Sequence, residues 1–187
     1  MVRAAGLKTR LGAVLALVGA LAVGLSVAGC GSNSENTLSV SEGEPMKLGN
    51  LLYNVQITRF LNPADGEDRG YLVGQPPPPN DKFYLGVFMQ IHNEAGTPQR
   101  VPTDFRVVDT EGTTFKPLKS RSLFALHLGG QVMSNGQQPE PESPAANGPI
   151  QGAMVLFLID RAAVEDRPLI LDIPSSTGAV GHVELDI

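Results

Sequence analysis

Apolar and polar residues alternate along much of this chain with a period of two. Tyr53, Val55 and Ile57 alternate with Asn54, Gln56 and Thr58, and near the end Val183, Leu185 and Ile187 alternate with His182, Glu184 and Asp186. Successive side chains of an extended strand point to opposite faces, so each stretch predicts a strand buried on one side only. Residues 83–91 and 154–159 are apolar on both faces and predict central strands. Residues 105–108 and 113–115 flank Asp109, Thr110, Glu111 and Gly112, a polar connection ending in glycine that suits a hairpin. Residues 169–173 form a further short strand between Pro168 and Pro174. Prolines recur from Pro63 to Pro174, leaving little room for long helices. Residues 121–128 and 161–166 have room for a turn or two each. Many short strands with turn signals between them predict an all-β, antiparallel β-sandwich.

One run breaks the alternation. Residues 11–27 are apolar and small, preceded by Arg3, Lys8 and Arg10 with no acid, and followed by Val27, Ala28, Gly29 and Cys30. A basic start, an apolar stretch and a small-residue cleavage site make up an export signal, and about seventeen apolar residues are few for a permanent span. The junction resembles the lipobox of bacterial lipoproteins: an aliphatic residue, two small ones and a cysteine. In that family the thiol is diacylated and the signal is cut just before it, which implies lipidation of Cys30. An uncleaved anchor and an ordinary secretory signal are the alternatives. Cys30 is the one cysteine of the chain, so it cannot form an internal disulfide, and acylation gives it a purpose. Two or more acyl chains hold a protein firmly where one does not. The expected location is therefore the cell membrane, lipid-anchored on its extracytoplasmic face.

These signals divide the chain into a signal peptide at 1–29, a flexible lipidated tether at 30–44, rich in Ser, Asn, Gly and Glu, and a sandwich at 45–187. Removal of the signal leaves eleven basic residues against nineteen acidic ones, a formal charge of about −8. That balance argues against nucleic acid as a partner by electrostatics and leaves the lipid, rather than charge, as the membrane anchor. Two polar loops are candidate partner surfaces. Residues 75–80 contain four consecutive prolines, which favour a stiff extended backbone. Such a loop is either a docking motif or a rigid edge connection. Residues 129–149 are longer and carry Glu140 and Glu142; a loop of that length is either functional or disordered.

Residues 83–115 carry an aromatic-led apolar strand with Tyr84 and Leu85 that ends in Asn93, then Pro102, Thr103, Asp104 and Phe105, then a hairpin with Asp109 and Gly112 before Phe115. This pattern resembles the bacterial extracellular domains with a telokin-like, immunoprotective-extracellular type of immunoglobulin-like fold, a family mostly of lipoproteins without assigned function. Residues 152–160 with Pro168 and Leu169 fit the second half, so the resemblance spans most of the mature domain. The Pro- and Glu-rich segment before Gly152 departs from the tight Pro-Gly turn usual in the family. The resemblance implies an interaction module and not an enzyme, and it supplies no catalytic residues.

The residues offer little chemistry of their own. His92, His127 and His182 are dispersed and lack the paired spacings of metal sites. Met89 with His92 and Met133 with His127 are the residue types of a soft-metal site and define an alternative, a copper carrier. Asp65, Glu67 and Asp68 are a conceivable calcium loop without EF-hand spacing, and their backbone hydrogen bonds in turns account for them equally. No Gly-x-Ser-x-Gly elbow is present. The leading expectation is a non-catalytic, lipid-anchored binding module for an envelope protein or small ligand, with no cofactor.

Overall fold

Residues 38–187 are described in this computed structural model, and they form twelve strands. The first sheet runs in the order β1 (Leu38–Ser41), β12 (Val180–Leu185), β11 (Leu169–Pro174), β6 (Arg106–Val108) and β7 (Thr114–Phe115). The second runs β10 (Ala153–Asp160), β4 (Lys82–Asn93), β3 (Leu51–Leu61) and β2 (Pro45–Leu48). Beyond the end of β10, β9 (Gln137–Gln138) takes over the pairing with β4, and β5 (Gln99–Arg100) with β8 (Gln131–Val132) makes a separate ribbon. The all-β sandwich expected from the alternation is what the chain forms. One pair departs from the antiparallel expectation, because β1 runs parallel to β12.

The two faces of β4 and β10 explain their unbroken apolar sequence. Leu85, Val87, Met89 and Ile91, with Ala153, Val155, Phe157 and Ile159, point between the sheets into the main core. The intervening Tyr84, Phe88, Met154 and Leu156 point outward into a second core. Leu61, Tyr71 and Leu72, together with Leu118 and Phe124, roof that second core. β4 is central as predicted, but β10 ends its sheet. The segment around 117–126 covers its free edge, with the Leu118 and Leu126 amides donating to Leu156 O and Met154 O at 2.7 and 2.8 Å. Phe105 is fully buried against Tyr53, their ring centroids 6.5 Å apart.

Several expectations are corrected. Ile57 does not share a face with Tyr53 and Val55, because a bulge lies between Val55 and Ile57, which pair with the consecutive residues Met89 and Phe88. The extra residue reverses the phase, so Ile57 is 42 % exposed and Thr58 is buried. Residues 121–128 form turns and not a helix, and residues 161–166 hold only a short 3-10 turn, Ala162–Val164. Among the described residues paired structure is already present at Leu38, ahead of the expected start near Pro45: β1 lies against β12 with Val40 opposite Val183. The Glu42 carboxylate then accepts the amides of Thr58 at 2.9 Å and Asp186 at 3.2 Å, closing the bulge and the end of β12 together. The signal peptide at 1–29 and Cys30 lie outside the described residues.

The segment at 129–149 is ordered. Within it β8 pairs with β5 and β9 with β4, and a helical turn, Pro144–Asn147, is capped by the Ser143 hydroxyl accepting from the Ala146 amide. Asn93 fastens it, donating from Nδ2 to the carbonyls of Thr97, Val132 and Met133 at 2.8 to 3.0 Å. Gly152, where the sequence departs from the family turn, has φ +109°, and a Cβ there would stand 3.0 Å from the Met89 amide nitrogen. Only glycine fits that approach. The predicted hairpin is present, with Asp109 Oδ1 accepting from the Glu111 and Thr113 amides and Gly112 at φ +83°.

Candidate functional site

The four prolines at 76–79 fix their own φ and remove four backbone donors, so this stretch can neither join a ladder nor form a helix. It runs as a strap from the second core to the start of β4, and hydrogen bonds hold it along its length. Gln75 Nε2 donates to Lys119 O at 2.7 Å, Tyr84 Oη to Pro76 O at 2.7 Å, the Lys82 amide to Pro79 O at 3.0 Å, and Arg161 Nε to Asn80 O at 3.2 Å. Burial pushes the Tyr84 phenol above its ordinary range, which keeps that donor protonated.

Between the strap and the ends of β3 and β4 lies a groove of about 400 Å³. Phe60 and Phe83 stand in it with ring centroids 5.3 Å apart, and Pro78 and Pro79 face them. The Arg161 guanidinium lies over Phe83, its carbon 4.0 Å from the ring centroid, a cation–π contact that also fixes the side chain. Lys82 pairs with Asp160, and that hydrogen bond raises its ammonium pKa above the usual lysine range. Beside the groove, Asp68 is 2 % exposed and accepts from Arg59 Nη2 at 2.6 Å and from the Asn62 amide at 2.7 Å. The entry to the loop at 62–70 is thereby anchored to β3. Walls made of prolines, aromatic rings and bonded backbone lose little freedom when something binds between them.

A second groove, of about 490 Å³, opens where residues 117–128 arch away from β10, with Leu118, Leu126 and Met154 in its lining and Lys119, Ser120 and His127 also part of it. Of the two loops singled out from sequence, 75–80 builds a groove wall, while 129–149 is spent largely on pairing with β4 and β5. Sequence inspection missed Phe60, Phe83 and Arg161. The available signal was two aromatic residues at the ends of the strands that flank a proline run.

The other candidates are separated or already engaged. Met89 faces the main core, whereas His92, three residues on in the same strand, has the opposite orientation. Met133 is 62 % exposed. Asp65 Oδ1 accepts from the Glu67 amide at 2.9 Å, and Asp68 is held as above, so these carboxylates satisfy their own loop. Among the described residues no group of three His, Cys, Asp or Glu side chains is placed to hold a metal. His182 Nδ1 lies 2.6 Å from Asp172 Oδ1. Ser39 stands opposite His182 in the parallel register, but no hydrogen bond joins them among the described residues. The His182–Asp172 contact is a cross-strand pair.

No protein-family profile and no curated protein matches the chain in sequence. Among solved structures it is similar to an uncharacterized β-sandwich protein of Clostridium difficile, with a TM-score of 0.50, 12 % identity, and 80 % of this chain and 95 % of that one covered. The chain is a β-sandwich protein. It is also similar to the yjhA protein of Bacillus subtilis, at a TM-score of 0.47 and 14 % identity over 80 % of this chain and 99 % of that one. A third similarity is to a secreted protein of Mycobacterium tuberculosis, MPT63, at 0.47 and 10 % over 79 % and 97 %. At these identities the likeness concerns the fold alone.

Proposed function

We propose that this chain is a lipoprotein held by acylated Cys30 on the extracytoplasmic face of the cell membrane, and that its sandwich is a non-catalytic binding module receiving an envelope partner in the strap groove. The anchor rests on the coincidence of Arg3, Lys8 and Arg10, the apolar run at 11–27 and Val27, Ala28, Gly29 and Cys30. The segment from 31 to 37, polar and rich in Ser and Asn, serves as the tether. The observation that carries the binding half is the strap itself: a donor-poor loop bonded to three other parts of the fold, enclosing two partly open aromatic rings. Apolar rings that are neither buried in a core nor solvated singly are what a binding surface presents. The resemblance of residues 83–115 to the telokin-like, immunoprotective-extracellular domains supports the same reading, since those are regarded as interaction modules.

The anchor is tested by mass spectrometry of protein purified from its native membranes. The mature chain is expected to begin at Cys30 with added acyl mass, and Cys30→Ser is expected to yield unlipidated protein. Recovery of Cys30→Ser with the acyl mass unchanged contradicts the assignment.

A further inference from the structure

The chemistry of the strap groove narrows what it can hold, and this inference rests on the binding role proposed above. We infer that the groove recognises the free carboxyl terminus of a peptide chain whose last side chain is apolar. The charged side chains lining it are Lys82 and Arg161, both basic, although the folded domain as a whole is acidic. Lys82 is occupied by Asp160, which is not part of the lining. Arg161 is held below by the Phe83 ring and at Nε by the Asn80 carbonyl. Its two terminal nitrogens have no hydrogen-bond partner among the described residues, which leaves the planar fork of a guanidinium that lines the groove unengaged. That fork matches a carboxylate in a bidentate geometry, and stacking on an aromatic face orders it in advance.

The remaining walls specify what is attached to the carboxylate. Phe60, Phe83, Pro78 and Pro79 form an apolar surface within the groove. The four prolines of the strap offer acceptors but no donors, and the Pro78 carbonyl accepts no hydrogen bond among the described residues. A ligand that brings an N–H close to its carboxylate and its apolar group can meet that carbonyl. A peptide terminus does so, because the amide of its last residue stands beside the terminal carboxylate; a fatty acid or a simple aromatic acid lacks that donor.

The chain contains no tryptophan, so indole fluorescence reports only a tryptophan-bearing ligand. The full chain in detergent is titrated into acetyl-Gly-Ser-Trp with a free carboxyl terminus and, separately, into the same peptide as its terminal amide. The acid is expected to bind about tenfold more tightly than the amide, the modest gain of a charged pair at a partly exposed site. R161Q is expected to erase that preference, while R161K, which keeps the charge and loses the fork, retains part of it. Circular dichroism should be unchanged in R161Q, because Arg161 is exposed and its own amide keeps its bond to Asp81 O. An acid preference that survives R161Q places the carboxylate elsewhere and overturns the inference. Equal binding of acid and amide, weakened alike by Phe83→Ala, overturns carboxylate recognition and leaves the groove as a binding surface. Absence of binding by both peptides also overturns the inference, and cross-linking at the groove in native membranes then decides the broader proposal separately.

Discussion

At the residue scale, three tyrosines show how burial sets chemistry. Tyr53, Tyr71 and Tyr84 are each 2 % exposed and are the only tyrosines of the chain. Burial raises all three phenols above their ordinary range, since the phenolate would lose its hydration. The folded state therefore holds protons that the unfolded chain releases near pH ~10, so stability is intact below that pH and falls as pH rises through it. Lys82 shifts in the same direction because Asp160 favours its ammonium form, and its contribution also fades at high pH. In an alkaline titration, phenolate absorbance is expected to appear in one cooperative step with unfolding. Three independent phenol titrations centred near pH ~10 would contradict this burial. Tyr53 and Tyr84 were legible in the sequence as members of strands, whereas Tyr71, which follows the short 3-10 turn Asp68–Gly70, was not. The roles of Arg161 and Glu42 were not, because each depends on partners far away in the chain.

At the element scale, strands were legible where side-chain period decides them, as in β12, or where an apolar run does, as in β4 and β11. The pattern failed at β3, where one inserted residue reversed the phase and exposed Ile57. It failed again at β1, where the composition of residues 30–44 hides a short strand stabilised by pairing with β12 and not by its own apolar content. No local signal marks such an element, because its partner lies at the other end of the chain. The strand predicts protection: hydrogen exchange at residues 38–41 should be slowed together with β12. Glu42→Ala should cost about 1 kcal/mol in chemical denaturation and speed exchange at Thr58, whose amide loses its acceptor. Exchange of residues 38–41 at the rate of an unstructured peptide, together with no effect of Glu42→Ala, would show that the tether runs on to Pro45.

At the scale of the whole molecule, net charge and local chemistry point in different directions. The chain carries more acidic than basic residues, yet the charged side chains in the strap groove lining, Lys82 and Arg161, are both basic. The groove combines residues from β3, the strap, β4 and the turn after β10, so its position could not be read from any one stretch of sequence, although the proline run marked one wall. The second core beneath the connection at 62–75 supports that wall, and the bonds to Lys119 and Arg161 tie it to two further segments. The most direct measurement is photo-cross-linking in native membranes, with a photoreactive residue in place of Pro79 at the groove and, in a second protein, in place of Glu111 in the β6–β7 turn. A binding module working through the strap groove predicts a discrete adduct at Pro79 that is absent at Glu111. No adduct at Pro79, or the same adducts at both positions, would contradict the groove as the binding surface.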